Sequence, residues 1–123
     1  MTVQQVREAL NRDELVLLDI RSREEWKETG VAHGAWPVSL HERSFGARLS
    51  QILTRHAGKP IALICATGGR SQYVQRTLLM RGIKSIIDIP EGMLGSRSGP
   101  GWIRANLPVV SMADALAAMP PDI

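Results

Sequence analysis

Ile61-Ala62-Leu63-Ile64 leads directly into Cys65-Ala66-Thr67-Gly68-Gly69-Arg70-Ser71, and a helix-compatible stretch then runs on to Met80. A short unbroken apolar run is the pattern of a strand buried on both faces of a parallel sheet. The spacing after it predicts a helix from Arg70 or Ser71 to Met80, with Gly82 as its C-terminal stop. The chain's one cysteine therefore falls where a buried strand ends and a helix begins. Such a turn aims several backbone N–H groups at one point, and the helix N-terminus adds partial positive charge. Gly68 and Gly69 let the chain curl and let an anion reach the backbone, while Arg70 adds a permanent cation. Each effect favours the thiolate, the reactive form of cysteine. An inert core thiol is the competing reading of any lone cysteine. The Gly-Gly-Arg that closely follows Cys65 argues against it.

Outward from this loop, strand and helix patterns alternate. Thr2 caps a first helix carrying Val3, Val6 and Leu10, and Asn11-Arg12-Asp13 turns the chain into the apolar run Leu15-Val16-Leu17-Leu18. Ser22 and Glu25 form a capping box, so a helix bearing Trp26 starts right after that strand and ends at Gly30. Ala35 to Val38 reads as a strand that Pro37 keeps short or at an edge. Residues 43–55 read as a helix with Phe45, Leu49, Ile52 and Leu53 on one side, broken by Gly58-Lys59-Pro60. Ile83 to Ile89 contains the next strand, and Pro90 to Gly101 reads as a loop. Ser111 caps a last helix over Ala113 to Met119, which Pro120-Pro121 stops. This order defines an α/β chain with a central parallel sheet covered on both faces. In such sheets ligands bind beyond the carboxyl ends of the strands, where Cys65 falls.

Cys65 to Ser71 resembles the active-site loop of rhodanese-like sulfurtransferases: a cysteine, four residues, then an arginine. Leu17 to Trp26 resembles the family's first strand with its Asp-x-Arg and Glu-Glu-aromatic signature, here Asp19, Arg21, Glu24, Glu25 and Trp26. Gly30 to Ala35 continues the likeness, Pro90-Glu91-Gly92 resembles the segment before the final region, and Trp102 to Val110 resembles the closing segment. The resemblance implies a three-layer α/β/α rhodanese-like fold. It implies one domain over residues 1–123, with a core of about 12–110 and a helical tail at 111–123. It further implies Cys65 as the nucleophile, with Ala66, Thr67, Gly68, Gly69, Arg70 and Ser71 binding a small anionic sulfur donor such as thiosulfate. Sulfur would pass through a Cys65 persulfide to cyanide, a thiol or a protein acceptor, with neither a metal nor an organic cofactor.

Other activities share this resemblance. Phosphatases of the same fold have five residues between cysteine and arginine, because a phosphate needs a wider cradle than a sulfane sulfur. Here only Ala66, Thr67, Gly68 and Gly69 intervene, which favours sulfur. An arsenate reductase would need an external thiol, since the chain has one cysteine. A non-enzymatic sulfur carrier or interaction module is the third alternative, and the retained Cys65 argues against an inactive one.

Individual residues carry duller readings as well. Arg70 either steadies the anionic substrate, as the resemblance implies, or serves as a surface or salt-bridge residue. Thr67 either bonds substrate or shapes the turn. Ser71 is an N-cap before it is a proton donor. Asp19 and Arg21 read as structural, with Arg21 four residues from Glu25 and able to pair with it. The family usually has histidine where Val31 stands; His33 comes two residues later, a departure from the pattern. His41 and His56 read as solvent-facing, and Trp26, Trp36 and Trp102 as packing residues. Glu91-Gly92-Met93 departs from the family's paired glycines, and Met93, Leu94 and Arg97 are candidates for lining a reshaped entrance.

Composition narrows the partners. At 123 residues with 44% apolar and 22% charged side chains, the chain has the content of one ordinary globular domain, and 4% aromatics predict a core of Leu, Ile, Val and Ala. Its net charge of +3 comes from scattered arginines without aromatic interleaving, which argues against nucleic acid and suits small anions. One cysteine and a polar start, Met1 to Arg7, point to a reducing cytoplasmic setting, and no apolar run suffices to span a membrane. The three histidines and one cysteine lack metal-ligand spacing.

Overall fold

A computed structural model describes residues 1–123. Its centre is a four-stranded, all-parallel sheet in the order β3 (Trp36–Pro37), β1 (Val16–Asp19), β4 (Ile61–Ile64), β5 (Ile86–Asp88). β3 is an edge strand of two residues, as Pro37 requires, since proline donates nothing to a ladder. The register sets Asp19 beside Ile64 and Leu63 beside Asp88. The carboxyl ends of the three longer strands thus form one rim, and Cys65 follows on it.

Successive residues of a strand face opposite sides, so an apolar run must be covered twice. Leu17, Ala62 and Ile64 face a core that also holds Val3, Val6, Trp26, Met93 and Trp102. Leu18, Ile61 and Leu63 face a second core with Leu49, Ile52 and Val74. Helices α1 (Val3–Asn11), α2 (Arg23–Thr29) and the short α5 (Gly101–Arg104) build the first layer. Helices α3 (Phe45–Arg55) and α4 (Gly69–Met80) build the other. The result is the three-layer α/β/α arrangement that the sequence pattern implies. The buried set is mainly Leu, Ile, Val and Ala, with Trp26 and Trp102 as its largest members.

One pairing escaped the sequence. β2 (Val31–Ala32) pairs antiparallel with β6 (Val109–Val110), a two-residue ladder too short to leave a periodic signal. Helix α6 spans Met112–Ala118, starting one residue before the expected Ala113, and sends Ala115 into the first core and Met119, just beyond its end, into the second. No helix is long and apolar enough to cross a membrane.

Candidate active site

The loop at the end of β4 is fixed from below by the segment that follows β5. Met93 N–H donates to Cys65 O at 2.8 Å, and Leu94 N–H donates to Ala66 O at 2.9 Å. Gly92, at φ +69°, makes this approach possible, because a Cβ there would overlap the carbonyl of Ala66. Gly68, at φ +95°, turns the chain into α4 against Pro90 O.

Inside the turn, Gly68 N–H donates to Cys65 Sγ at 3.1 Å. The Cys65 thiol donates to Ser71 Oγ at 3.5 Å, and Ser71 Oγ–H donates to Gly68 O at 3.1 Å. Cys65 is 1% exposed and is itself part of the core that holds Ile20, Val38 and Val74. The sulfur thus lies at the bottom of the turn, with one amide donor and one hydroxyl, rather than inside a ring of amides. Ser71 is not the N-cap that the sequence suggested. Gly68 holds that position and α4 begins at Gly69, which puts Ser71 in the buried first turn with its hydroxyl on the sulfur side.

Arg70 projects from the first turn of α4 to Glu25, with Nη1–Oε1 2.7 Å and Nη2–Oε2 2.8 Å. Its Nη1 also lies 3.0 Å from His41 Nε2. Arg70 draws the Glu25 carboxyl down to about 2, and Glu25 raises Arg70 in turn. Ser22 N–H donates to Glu25 Oε1 at 3.1 Å, so this carboxylate joins the N-termini of α2 and α4.

The expected Arg21–Glu25 pair does not form. Arg21 turns inward and meets Asp19, with Nε–Oδ1 3.0 Å and Nη2–Oδ2 2.8 Å, both side chains fully buried. Its remaining donors reach Thr29 Oγ1 at 3.0 Å and Gly30 O at 2.9 Å. A buried guanidinium needs every N–H satisfied, and the end of α2 supplies what one carboxylate cannot.

The other sequence candidates scatter. Thr67 and Gly69 are exposed, and Ala66 is half-buried. His33 Nδ1 lies 3.1 Å from Arg7 Nη1, on α1 and outside the loop. His56 is half-buried rather than solvent-facing, its ring 5.2 Å from that of Trp36. Met93 is fully buried in the first core and cannot line an entrance, whereas Arg97 lines a cavity together with Thr67, Gly68 and Gly69. Sequence reading missed Glu91, a buried carboxylate that accepts from Val3 N–H at 3.0 Å and Gly101 N–H at 3.1 Å. Its partners are backbone groups 88 and 10 positions away, which leave no local signal. No three His, Cys, Asp or Glu side chains gather as a metal-ligand set.

Comparison with known proteins agrees with this fold. The family profile of the rhodanese-like domain matches residues 2–97. A relative of unassigned function from Rickettsia rickettsii is 26% identical over 108 residues, covering 80% of this chain and 85% of the relative. The crystal structure of a rhodanese-related protein from Thermoplasma volcanium superposes with a TM-score of 0.65 at 27% identity, over 89% of this chain and 95% of that one. The polysulfide-sulfur transferase homodimer of Wolinella succinogenes shares the fold at a TM-score of 0.62 and 21% identity, over 92% and 78% of the two chains. Fold, loop and family profile together place the chain in the rhodanese-like domain family.

Proposed function

We propose that this protein is a sulfurtransferase that carries sulfane sulfur on Cys65. The observation that carries the reading is the Gly68 N–H on Cys65 Sγ at 3.1 Å, inside a turn of four residues before Arg70. A single amide donor and the N-terminus of α4 favour negative charge on that sulfur and on one further atom attached to it. The thiolate of Cys65 attacks the outer sulfur of thiosulfate. A new S–S bond forms at Sγ, the old one breaks, and sulfite departs with the electron pair. Cyanide or a thiolate then takes the outer sulfur, and Cys65 leaves as the thiolate. Ala66, Thr67, Gly69 and Ser71 shape the donor site, and Arg70, held by Glu25, supplies fixed positive charge beside it. We read residues 1–123 as one such domain, working in the cytoplasm on a small anionic donor and a thiol or protein acceptor.

Steady-state assays decide between this and its rivals. Thiosulfate and cyanide should yield thiocyanate with the wild type and none with Cys65→Ser. Hydrolysis of an aryl phosphate without thiocyanate would establish the phosphatase. Neither activity would leave the non-catalytic module, the reading that the 1% exposure of Cys65 favours.

A further inference from the structure

Acidic and basic side chains are sorted to opposite layers of this molecule. From Arg43 to Ile87 there is not one aspartate or glutamate, although the chain has 12 such residues. That stretch holds all of α3 and α4. The acids lie elsewhere, among them Glu8 on α1 and Glu24, Glu25 and Glu28 on α2. Four cations of the acid-free stretch, Arg43, Arg76, Arg81 and Lys84, are exposed and enter no ion pair. Between α3 and α4 runs an apolar groove of about 350 Å³. Phe45, Leu49 and Leu53 form one wall, and Tyr73, Leu78 and Ile83 form the other. Arg81 lines the groove too, and Arg43, Arg76 and Lys84 each stand one or two positions from a residue that does. Tyr73 is 69% exposed, and Met80, two turns further along the same face of α4, is 88% exposed. Apolar surface left open and rimmed by charge marks an interaction site.

Cations around an apolar floor suit a second copy of this chain, an anionic bilayer or an acidic partner helix. A second copy offers acids on α1 and α2, but neither helix exposes a large apolar side chain. A bilayer receives side chains that protrude, whereas the floor of this groove is recessed at Leu49 and Val74, 4% and 5% exposed. A third helix fits the groove between two others, because helices pack ridge into groove. The walls follow α3 and α4 for most of their 11 and 12 residues, roughly 17 Å, so a partner helix of about three turns spans them. We infer that the groove between α3 and α4 is a docking surface for an acidic amphipathic helix of a partner protein. Apolar side chains on one face of that helix enter between Phe45, Leu53, Leu78 and Ile83, and carboxylates beside them meet Arg76, Arg81 and Lys84. Leu40 also lines the groove, next in the chain to His41, whose Nε2 lies 3.0 Å from Arg70 Nη1. The docked helix therefore reaches the neighbourhood of the Cys65 loop. The surface itself does not depend on sulfur chemistry.

The probe is a synthetic peptide of roughly 15 residues, long enough to form a helix, with leucines on one face and glutamates on the other. It is titrated into the full chain while backbone amide resonances are followed. Two controls run beside it: a scrambled isomer of the same composition, and a version with lysine for every glutamate. The acidic helix should shift the amides of Gly46, Ser50, Thr77 and Leu78 and bind at least roughly tenfold more tightly than either control. The double variant Arg76→Glu, Arg81→Glu should reverse the preference between the acidic and the lysine peptide. Tyr73→Ser should weaken the acidic helix several-fold. All three side chains are exposed, so these variants test the surface without disturbing a core. Equal affinity for the acidic helix and its scrambled isomer would reduce the contact to charge alone and overturn the docking groove. Shifts confined to residues outside α3 and α4 would overturn it as well. So would binding to phosphatidylglycerol vesicles without binding to the peptide, which would give this face to a bilayer. Self-association that the double variant abolishes, again without peptide binding, would give it to a second copy and equally overturn the inference.

Discussion

Glu25 shows how one side chain fastens two helices. It accepts from Ser22 at the start of α2 and from Arg70 in the first turn of α4, and its carboxyl sits near 2 instead of the ordinary 4.5. A carboxyl lowered in the folded state stabilises the fold fully above its ordinary value, and that contribution is lost as the pH falls through the lowered one. The two side chains keep 30% and 28% of their surface exposed, so solvent screening still reduces the net contribution to about 1 kcal/mol. Wild type and Glu25→Gln should therefore differ by that amount in urea unfolding at pH 6 and converge between pH 4.5 and 2. A gap independent of pH would show that the ion pair is not its source. The buried pair is a stronger case. Arg21→Met strips the buried Asp19 carboxyl of its guanidinium partner, leaving it the backbone N–H at position 21, and should cost about 3–5 kcal/mol by the same measurement. The sequence placed Asp19 and Arg21 among the structural residues, but helical spacing matched Arg21 to the wrong acid. Spacing of four predicts neighbours only when both side chains lie on the helix, and Arg21 precedes α2.

At the scale of elements, the turn after β5 governs the turn after β4. Gly92 lies against the carbonyls of Cys65 and Ala66, so Gly92→Ala must push the Cys65 loop away. Thiocyanate formation should fall at least roughly tenfold, since catalytic geometry tolerates little displacement. An unaffected rate would mean that the loop position does not matter to the chemistry. Glu91, one residue earlier, ties that turn to the first N–H of α1. Glu91→Gln keeps one acceptor oxygen for two donors and should cost about 1–3 kcal/mol in thermal unfolding. Most elements were legible because their signals are local: the capping box of Ser22 and Glu25, the unbroken apolar runs of β1 and β4, and the break at Gly58 to Pro60. The β2–β6 ladder was not, because each strand has two residues and pairs across nearly 80 positions by register alone.

For the whole molecule, two cores on one sheet explain both stability and site. Trp102 is fully buried among residues of the first core, and its Nε1–H donates to Pro108 O at 2.9 Å. Trp102→Ala should cost about 3–5 kcal/mol and lower the melting temperature without removing Cys65 chemistry from the fraction that stays folded. The layer order followed from the alternation of strands and helices, and the position of Cys65 from the end of β4. What the sequence could not show is how deep the sulfur lies. Its contacts with Gly68 and Ser71 depend on where α4 begins, and the chain starts that helix at Gly69, within the glycine pair itself. The central claim is that Cys65 stores one sulfur atom, and intact mass measures it directly. After incubation with thiosulfate and removal of excess donor, the wild type should be heavier by one sulfur atom and return to its starting mass with cyanide, while Cys65→Ser stays unchanged. An unaltered wild-type mass, or the same gain in the variant, would contradict the account.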